Sequence, residues 1–267
     1  MKKISFLIVT LYIISFLTSC QSSFFTLDKI IKSGKLLVTT NAEFAPFEYK
    51  QGSKFKGIDI DIIYEYGKYI DVEVSILDFD FDAALLSVSK YKSDLAIAAI
   101  TKNEIREQTL DFSNSYYSAN QVVIVNKNSI YSTLSTKDEI LNALSVNKAK
   151  IGCQRGTTGQ YYILGDTSWD FDGILNTSCI TYDSGALAIK ALSNGQIDAV
   201  IIDQAPAILY CNKINGVKCL DAILTVEEYA IAIANGNVTL QDSLNKFIEK
   251  IKGDGTLDAI IEKYYEN

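Results

Sequence analysis

The chain contains no histidine among its 267 residues. That absence removes the serine–histidine–aspartate triad, imidazole acid–base catalysis and the commonest protein metal ligand together. An excess of positive charge is also missing: 25 Lys and Arg stand against 32 Asp and Glu, a net charge of −7. An acidic protein has no general attraction for phosphate backbones, so nucleic acid is not an expected partner. Beyond residue 20 no apolar run approaches a membrane span. What is present in quantity is core material. Hydrophobic residues make up 48% of the chain, which argues against disorder and for a packed interior.

The first residues read as a targeting segment. Lys2 and Lys3 form a positive start, and 4–17 is apolar except for Ser5, Thr10 and Ser15. The run is short for a span and suits the hydrophobic part of a signal peptide, 1–19. Leu17-Thr18-Ser19-Cys20 resembles a bacterial lipobox, which implies cleavage before Cys20 and lipid attachment to its thiol. Losing Lys2 and Lys3 takes the net charge to −9, because 1–19 holds no acidic side chain. The expectation is a lipid-anchored protein of the bacterial cell envelope, facing the periplasm or exterior, with 20–33 as a tether and first helix.

The four remaining cysteines are Cys153, Cys179, Cys211 and Cys219. Four cysteines allow three disulfide connectivities. Cys211 and Cys219 bracket the turn-rich stretch Asn212-Lys213-Ile214-Asn215-Gly216 and are favoured as a pair, with a Cys153–Cys179 pairing left open. Buried free thiols are the alternative, and the spacings do not resemble a zinc site. No metal or cofactor is expected.

The rest of the chain suits one large domain or two lobes. Hydrophobic patterning predicts strands at 35–40, 72–77 and 95–100, with helices at 59–69 and 81–88 between them. Asp59 is the expected cap of the first of these helices, and 41–49 reads as a loop. The pattern then restarts, with strands at 121–126, 150–153, 179–182 and 198–203 alternating with helices. A strand at 229–234 and helices at 240–252 and 256–264 close the chain. Such alternation implies parallel βαβ units. The stretches 93–99 and 197–203 share a layout in which an Asp (Asp94, Asp198) opens an apolar strand after a helix, suggesting two lobes of like architecture.

The polar groups that carry chemistry fall at the carboxyl ends of strands, where open α/β sheets bind ligands. Thr101 and Arg106 follow the strand at 95–100, and Arg grips a carboxylate with two parallel hydrogen bonds. Gly156-Thr157-Thr158-Gly159 follows the strand at 150–153, and its glycines let backbone approach a ligand. The segment has neither the lysine nor the spacing of a nucleotide-binding loop. Asp203 ends a buried strand, where it can meet an ammonium group or cap the next helix. Asn41 and Phe44 follow the first strand, and Phe81 opens a helix. Aromatic side chains at a cleft give apolar walls and cation–π contact.

In order and spacing, NAEFAPFEY, GIDIDI, DLAIAAIT with Arg106, DFSNSYY, QRGTTG, DAVIID, YAIAIANGN and DGTLDAIIEKYY resemble the solute-binding proteins of polar amino-acid ABC transporters, family 3, which include glutamine- and histidine-binding members. The similarity runs from about Lys35 to Tyr265. It implies an α/β protein with a two-lobed, type II periplasmic-binding-protein fold. Each lobe is a mainly parallel sheet flanked by helices, and two hinge strands join them. By position, lobe 1 takes 24–115 with 232–267, lobe 2 takes 121–226, and the hinges are 116–120 and 227–231.

The resemblance also implies roles and partners. Arg106 and Thr101 bind the α-carboxylate of a free amino acid, helped by the Thr158 backbone within the Gly156–Thr157–Thr158 loop. Asp203 and the Ala99 carbonyl take the α-ammonium. Phe44 and Phe81 sandwich the side chain, and Asn41 faces its tip. The implied partners are an ABC permease with its ATPase, and the implied state is a monomer with no catalytic residue. Members that bind cationic amino acids commonly carry an acidic residue where this chain has Asn41, which favours a neutral polar ligand. Glu43 is close enough to restore a charge if it turns inward. A cyclohexadienyl-dehydratase-like enzyme, with Glu43 as its acid, and a sensory or adhesive surface lipoprotein are the competing readings.

Overall fold

The computed structural model describes residues 27–265. The expected signal peptide and the Cys20 anchor lie outside the described residues. After a short helix, Leu27–Ser33, the first sheet takes β1 (Lys35–Thr40), β5 (Glu73–Asp78), β6 (Leu95–Ala96), β7 (Leu110–Phe112) and β14 (Ala232–Ala234), in the order β5-β1-β6-β14-β7. A second sheet is ordered β10-β9-β11-β8-β12, from β8 (Tyr117–Asn126), β9 (Lys150–Gln154), β10 (Ser178–Tyr182), β11 (Ala199–Asp203) and β12 (Val217–Cys219). β13 (Thr225–Tyr229) pairs with the start of β8. The two sheets are the bases of two lobes.

The alternation of strand and helix gives the expected parallel pairs, β1 with β5 and β6, and β9 with β10 and β11. The sheets are nevertheless mixed. β8 runs antiparallel to β11, and β14 runs antiparallel to β6 and β7. The cause is the path of the chain. The chain leaves the first sheet after β7 and enters the second as β8, β13 returns beside it, and Ala230-Ile231 carries the chain back into β14. The two crossing segments are tied by backbone bonds from Tyr116 N to the Tyr229 carbonyl (2.9 Å) and from Ser113 N to the Ile231 carbonyl (3.0 Å). Phe47 packs edge-on against Tyr117 and Tyr229 at 4.9 and 5.1 Å between ring centres, so the crossing is held by buried aromatic rings.

The layout shared by 93–99 and 197–203 has a structural meaning. Asp94 accepts from the Leu37 backbone N–H at 2.7 Å, and Asp198 accepts from the Lys150 N–H at 2.8 Å. Each Asp therefore ties the start of its own strand to the neighbouring parallel strand, once in each lobe.

Several local expectations are corrected. The strand expected at 95–100 is ladder-paired only over Leu95–Ala96. Ile97 to Ile100 stay buried, but Ala99 takes a left-handed φ of 48° and bends the chain out of the ladder. Asp59 does not cap its helix, Ile58–Tyr69, but lies inside the first turn with its carboxylate turned to the core. The loop expected at 41–49 contains β2 (Glu43–Phe44) and runs into β3 (Glu48–Gln51), which pair antiparallel with β4 (Lys54–Lys56) in a small third sheet. The strand expected at 229–234 is divided between β13 and β14, because its first residue belongs to the crossing and its last three to the first sheet. The cysteine pairing also changes: Cys153, Cys179, Cys211 and Cys219 are all free thiols. Cys219 points its thiol at the Leu220 carbonyl (3.5 Å) rather than at Cys211. The sulfurs that meet are those of Cys153 and Cys179, 3.5 Å apart on adjacent strands.

Candidate functional site

Between the two lobes lies a small, nearly closed cavity of about 20 Å³ lined by Asn41, Phe44, Glu48, Phe81, Ala98, Ala99, Thr101, Arg106, Gln154, Thr157, Thr158 and Asp203. Nine of the ten positions singled out in the sequence are in that lining. The tenth, Gly156, stands beside it and meets Arg106 through its carbonyl.

Arg106 is placed by the short helix Glu104–Glu107, whose cap Asn103 accepts from the Arg106 backbone N–H at 2.8 Å. Its guanidinium is buried and donates to two carbonyls, Thr101 of its own lobe and Gly156 of the other, the latter at 3.1 Å. A guanidinium carries five N–H donors, so most of them remain available. Among the described residues Arg106 forms no ion pair. Burial lowers its pKa, which measures the desolvation an anion would relieve.

The lobes meet across the cavity through polar contacts. Gln154 donates to Asn41 Oδ1 at 2.9 Å, and Asn41 donates in turn to the Phe79 carbonyl at 3.0 Å. Thr158 donates to Thr101 Oγ1 at 3.3 Å. Thr101 donates to Glu227 at 2.6 Å, so the Thr101 hydroxyl is an acceptor toward the cavity. Thr157 turns back to donate to the Gln154 carbonyl at 2.8 Å. Gly156 is required by geometry: its φ is 74°, and a Cβ there would fall 2.0 Å from Asp82 of the facing lobe.

Opposite charge is supplied by buried carboxyl groups. Asp203 stands at the start of the helix Gln204–Lys213 without capping it, and accepts from the Tyr229 hydroxyl instead. Burial and the nearby Glu227 charge push its pKa up to about 7. Asp59 accepts from Tyr116 Oη at 2.8 Å and from the Ala99 backbone N–H at 2.7 Å, which secures the left-handed turn at Ala99. Burial lifts Asp59 to about 6.

Glu48 is the residue that sequence reasoning passed over. It is 1% exposed, and its Oε2 has no hydrogen-bond partner. Burial, then the neighbouring Asp59, raise its pKa well above the carboxylate range. In the small sheet Phe44 pairs directly with Glu48 and Glu43 with Tyr49. Directly opposed residues share a face, so Glu48 looks with Phe44 into the cavity while Glu43 faces outward and is exposed. The sequence carried no periodic signal for it, because the strands that begin in NAEFAPFEY are two and four residues long and the stretch reads as a loop. Gln154 was likewise passed over, being taken as the start of a loop rather than the end of β9.

Residues 36–267 match the model of the bacterial extracellular solute-binding proteins, family 3. The chain is 28% identical to a probable histidine-binding protein of Neisseria gonorrhoeae over 85% of its own length and 82% of that protein's. Among solved structures, a mutant of ArgBP from T. maritima is 29% identical with a TM-score of 0.79, covering 90% of this chain and 99% of that one. An ancestral arginine-binding protein bound to glutamine is 32% identical with a TM-score of 0.76, covering 88% and 99%.

Proposed function

The chain belongs to the bacterial extracellular solute-binding proteins, family 3, and from that premise we propose that it is an extracytoplasmic receptor for a free L-amino acid with a neutral polar side chain. It closes over its ligand and delivers it to an ABC importer. The observation that carries this reading is the pairing, in one cavity between two lobes, of a buried guanidinium without an anion and a buried carboxyl group, Asp203.

A zwitterion satisfies both groups at once. Arg106 takes the α-carboxylate with its free N–H donors, while Asp203 faces the α-ammonium. Phe44 and Phe81 flank the side chain. Asn41, Gln154 and Glu48 offer hydrogen bonds to its polar end. Closure turns on the crossing segments 116–120 and 227–231, between a first lobe of 24–115 with 232–267 and a second of 121–226. Hinge closure desolvates the ligand between complementary charges, and the closed form is what the permease reads. No reaction step is assigned to the cavity.

A neutral ligand is supported by the state of Glu48. Two carboxyl groups buried side by side hold a proton between them unless a cation is supplied, and Glu48 with Asp59 has none. The unpartnered Glu48 Oε2 also supports a second reading, a basic amino acid whose side chain provides that cation. Thermal-shift screening of refolded protein against the twenty amino acids tests the receptor. A ligand at about 100 times its Kd adds roughly 2.7 kcal/mol of stability. Silence across the set sinks the reading and moves attention to prephenate turnover. Calorimetry in buffers of different ionisation enthalpy separates the two ligand classes, since a basic side chain expels the proton of the Glu48–Asp59 pair and a neutral one leaves it in place.

A further inference from the structure

Arg106 is contacted by two aromatic rings that belong to different lobes. Phe81, which opens the helix Phe81–Ser89, lies 5.2 Å from the guanidinium carbon, measured to the ring centre. Trp169, the single tryptophan of the chain, lies 5.5 Å away. Phe81 packs on the first sheet, as Arg106 does, so its contact survives opening. Trp169 sits between β9 and β10 of the second sheet, in the turn Thr167–Trp169. Its contact exists only while the lobes are together.

The indole is held on a pedestal. Tyr161 stacks on it at 5.3 Å, Phe171 packs beside it at 5.7 Å, and Phe171 is braced edge-on by Tyr162 at 5.0 Å. The neck of the segment is closed by Gly165 and Gly173, whose backbones approach so nearly that a Cβ on Gly173 would lie 2.8 Å from the Gly165 nitrogen. Asp166 pairs with Phe171 across the base. Thr101 borders both the ligand cavity and an open groove on its outer side, and Trp169 lines only the groove. The Arg106–Trp169 contact therefore stands between the two.

We propose that Trp169 is a positioning residue that latches the closed state: from the second lobe it covers the guanidinium of Arg106, holds it toward the ligand and keeps groove water from it. A guanidinium is weakly hydrated and prefers an aromatic face to bulk water when desolvated. The latch thus acts on release of the ligand more than on its capture. This inference rests on Arg106 as the carboxylate anchor of an amino acid.

The test uses the full chain and its Trp169→Ala and Trp169→Phe variants, with radiolabelled L-glutamine and L-arginine as probes. For the probe that the unaltered protein retains, Trp169→Ala speeds release roughly tenfold with little change in capture rate. Trp169→Phe restores most of the retention, and the circular dichroism without amino acid stays native in all three proteins. Release from Trp169→Ala at the unaltered rate overturns the latch, and so does a Phe variant no better than Ala. If the unaltered protein retains neither probe, the binding of these amino acids is what fails. The latch is then judged by small-angle scattering of the proteins without amino acid, where a larger radius of gyration for Trp169→Ala supports it and equal radii overturn it.

Discussion

Arg106 joins the two lobes through a single buried side chain. Its two carbonyl contacts, to Thr101 and Gly156, belong to opposite lobes, so it registers closure and, in the proposed pose, ligand as well. Removing a buried, hydrogen-bonded charge from an interface weakens binding by roughly 2–5 kcal/mol. Arg106→Ala is therefore expected to abolish measurable amino-acid binding in calorimetry while its circular dichroism stays native, because Arg106 lines a cavity rather than filling a core. Arg106→Lys should rescue little, since an ammonium cannot reproduce the planar fork that meets a carboxylate. Retained affinity in either variant would overturn the proposed pose.

At the scale of elements, the decisive piece is the turn after β9. Gly156 combines a left-handed backbone with a close approach to Asp82 of the facing lobe. Ala at this position strains the backbone, and its methyl group meets the Asp82 carboxylate only when the lobes close. Gly156→Ala is thus expected to lower affinity far more than it lowers thermal stability, with scattering showing a protein that stays open in the presence of amino acid. A variant that closes and binds as the parent does would show that the facing helix Phe81–Ser89 yields at no cost. The same scale explains which elements could be read from the chain. The strand–helix alternation and the paired aspartates Asp94 and Asp198 were legible, because a buried parallel strand and its anchoring carboxylate leave a local pattern. The small sheet carrying Glu48 was not, since strands of two to four residues are too short to show a period.

For the whole molecule, the seam between the lobes gathers carboxyl groups that hold protons more tightly folded than unfolded. Asp59 titrates near 6 and Asp203 near 7, both above the ordinary aspartate value of 3.8, and Glu48 is raised as well. Such groups contribute stability that is fully present below their unfolded pKa and lost as pH rises through the folded values. The protein without amino acid is therefore expected to melt at a lower temperature at about pH 8 than at about pH 5, with the loss running through the window from roughly 4 to 7. Asp203→Asn should flatten the upper part of that window, and a melting temperature independent of pH in both proteins would contradict the account. In the proposed pose a bound amino acid works in the opposite direction, because its ammonium favours the ionised Asp203.

The chain by itself determined the class of the molecule: strand–helix units in two like lobes, an arginine and an aspartate at strand ends, and a family pattern that residues 36–267 match. These follow from local periodicity and from residue types with narrow chemical uses. Tertiary structure alone decided the direction of β8 and β14, the bend at Ala99, which cysteine sulfurs meet, and the entry of Glu48 rather than Glu43 into the cavity. Each of these depends on which distant segment a strand meets. Sequence periodicity records how often a face recurs, and only packing records what that face is turned against.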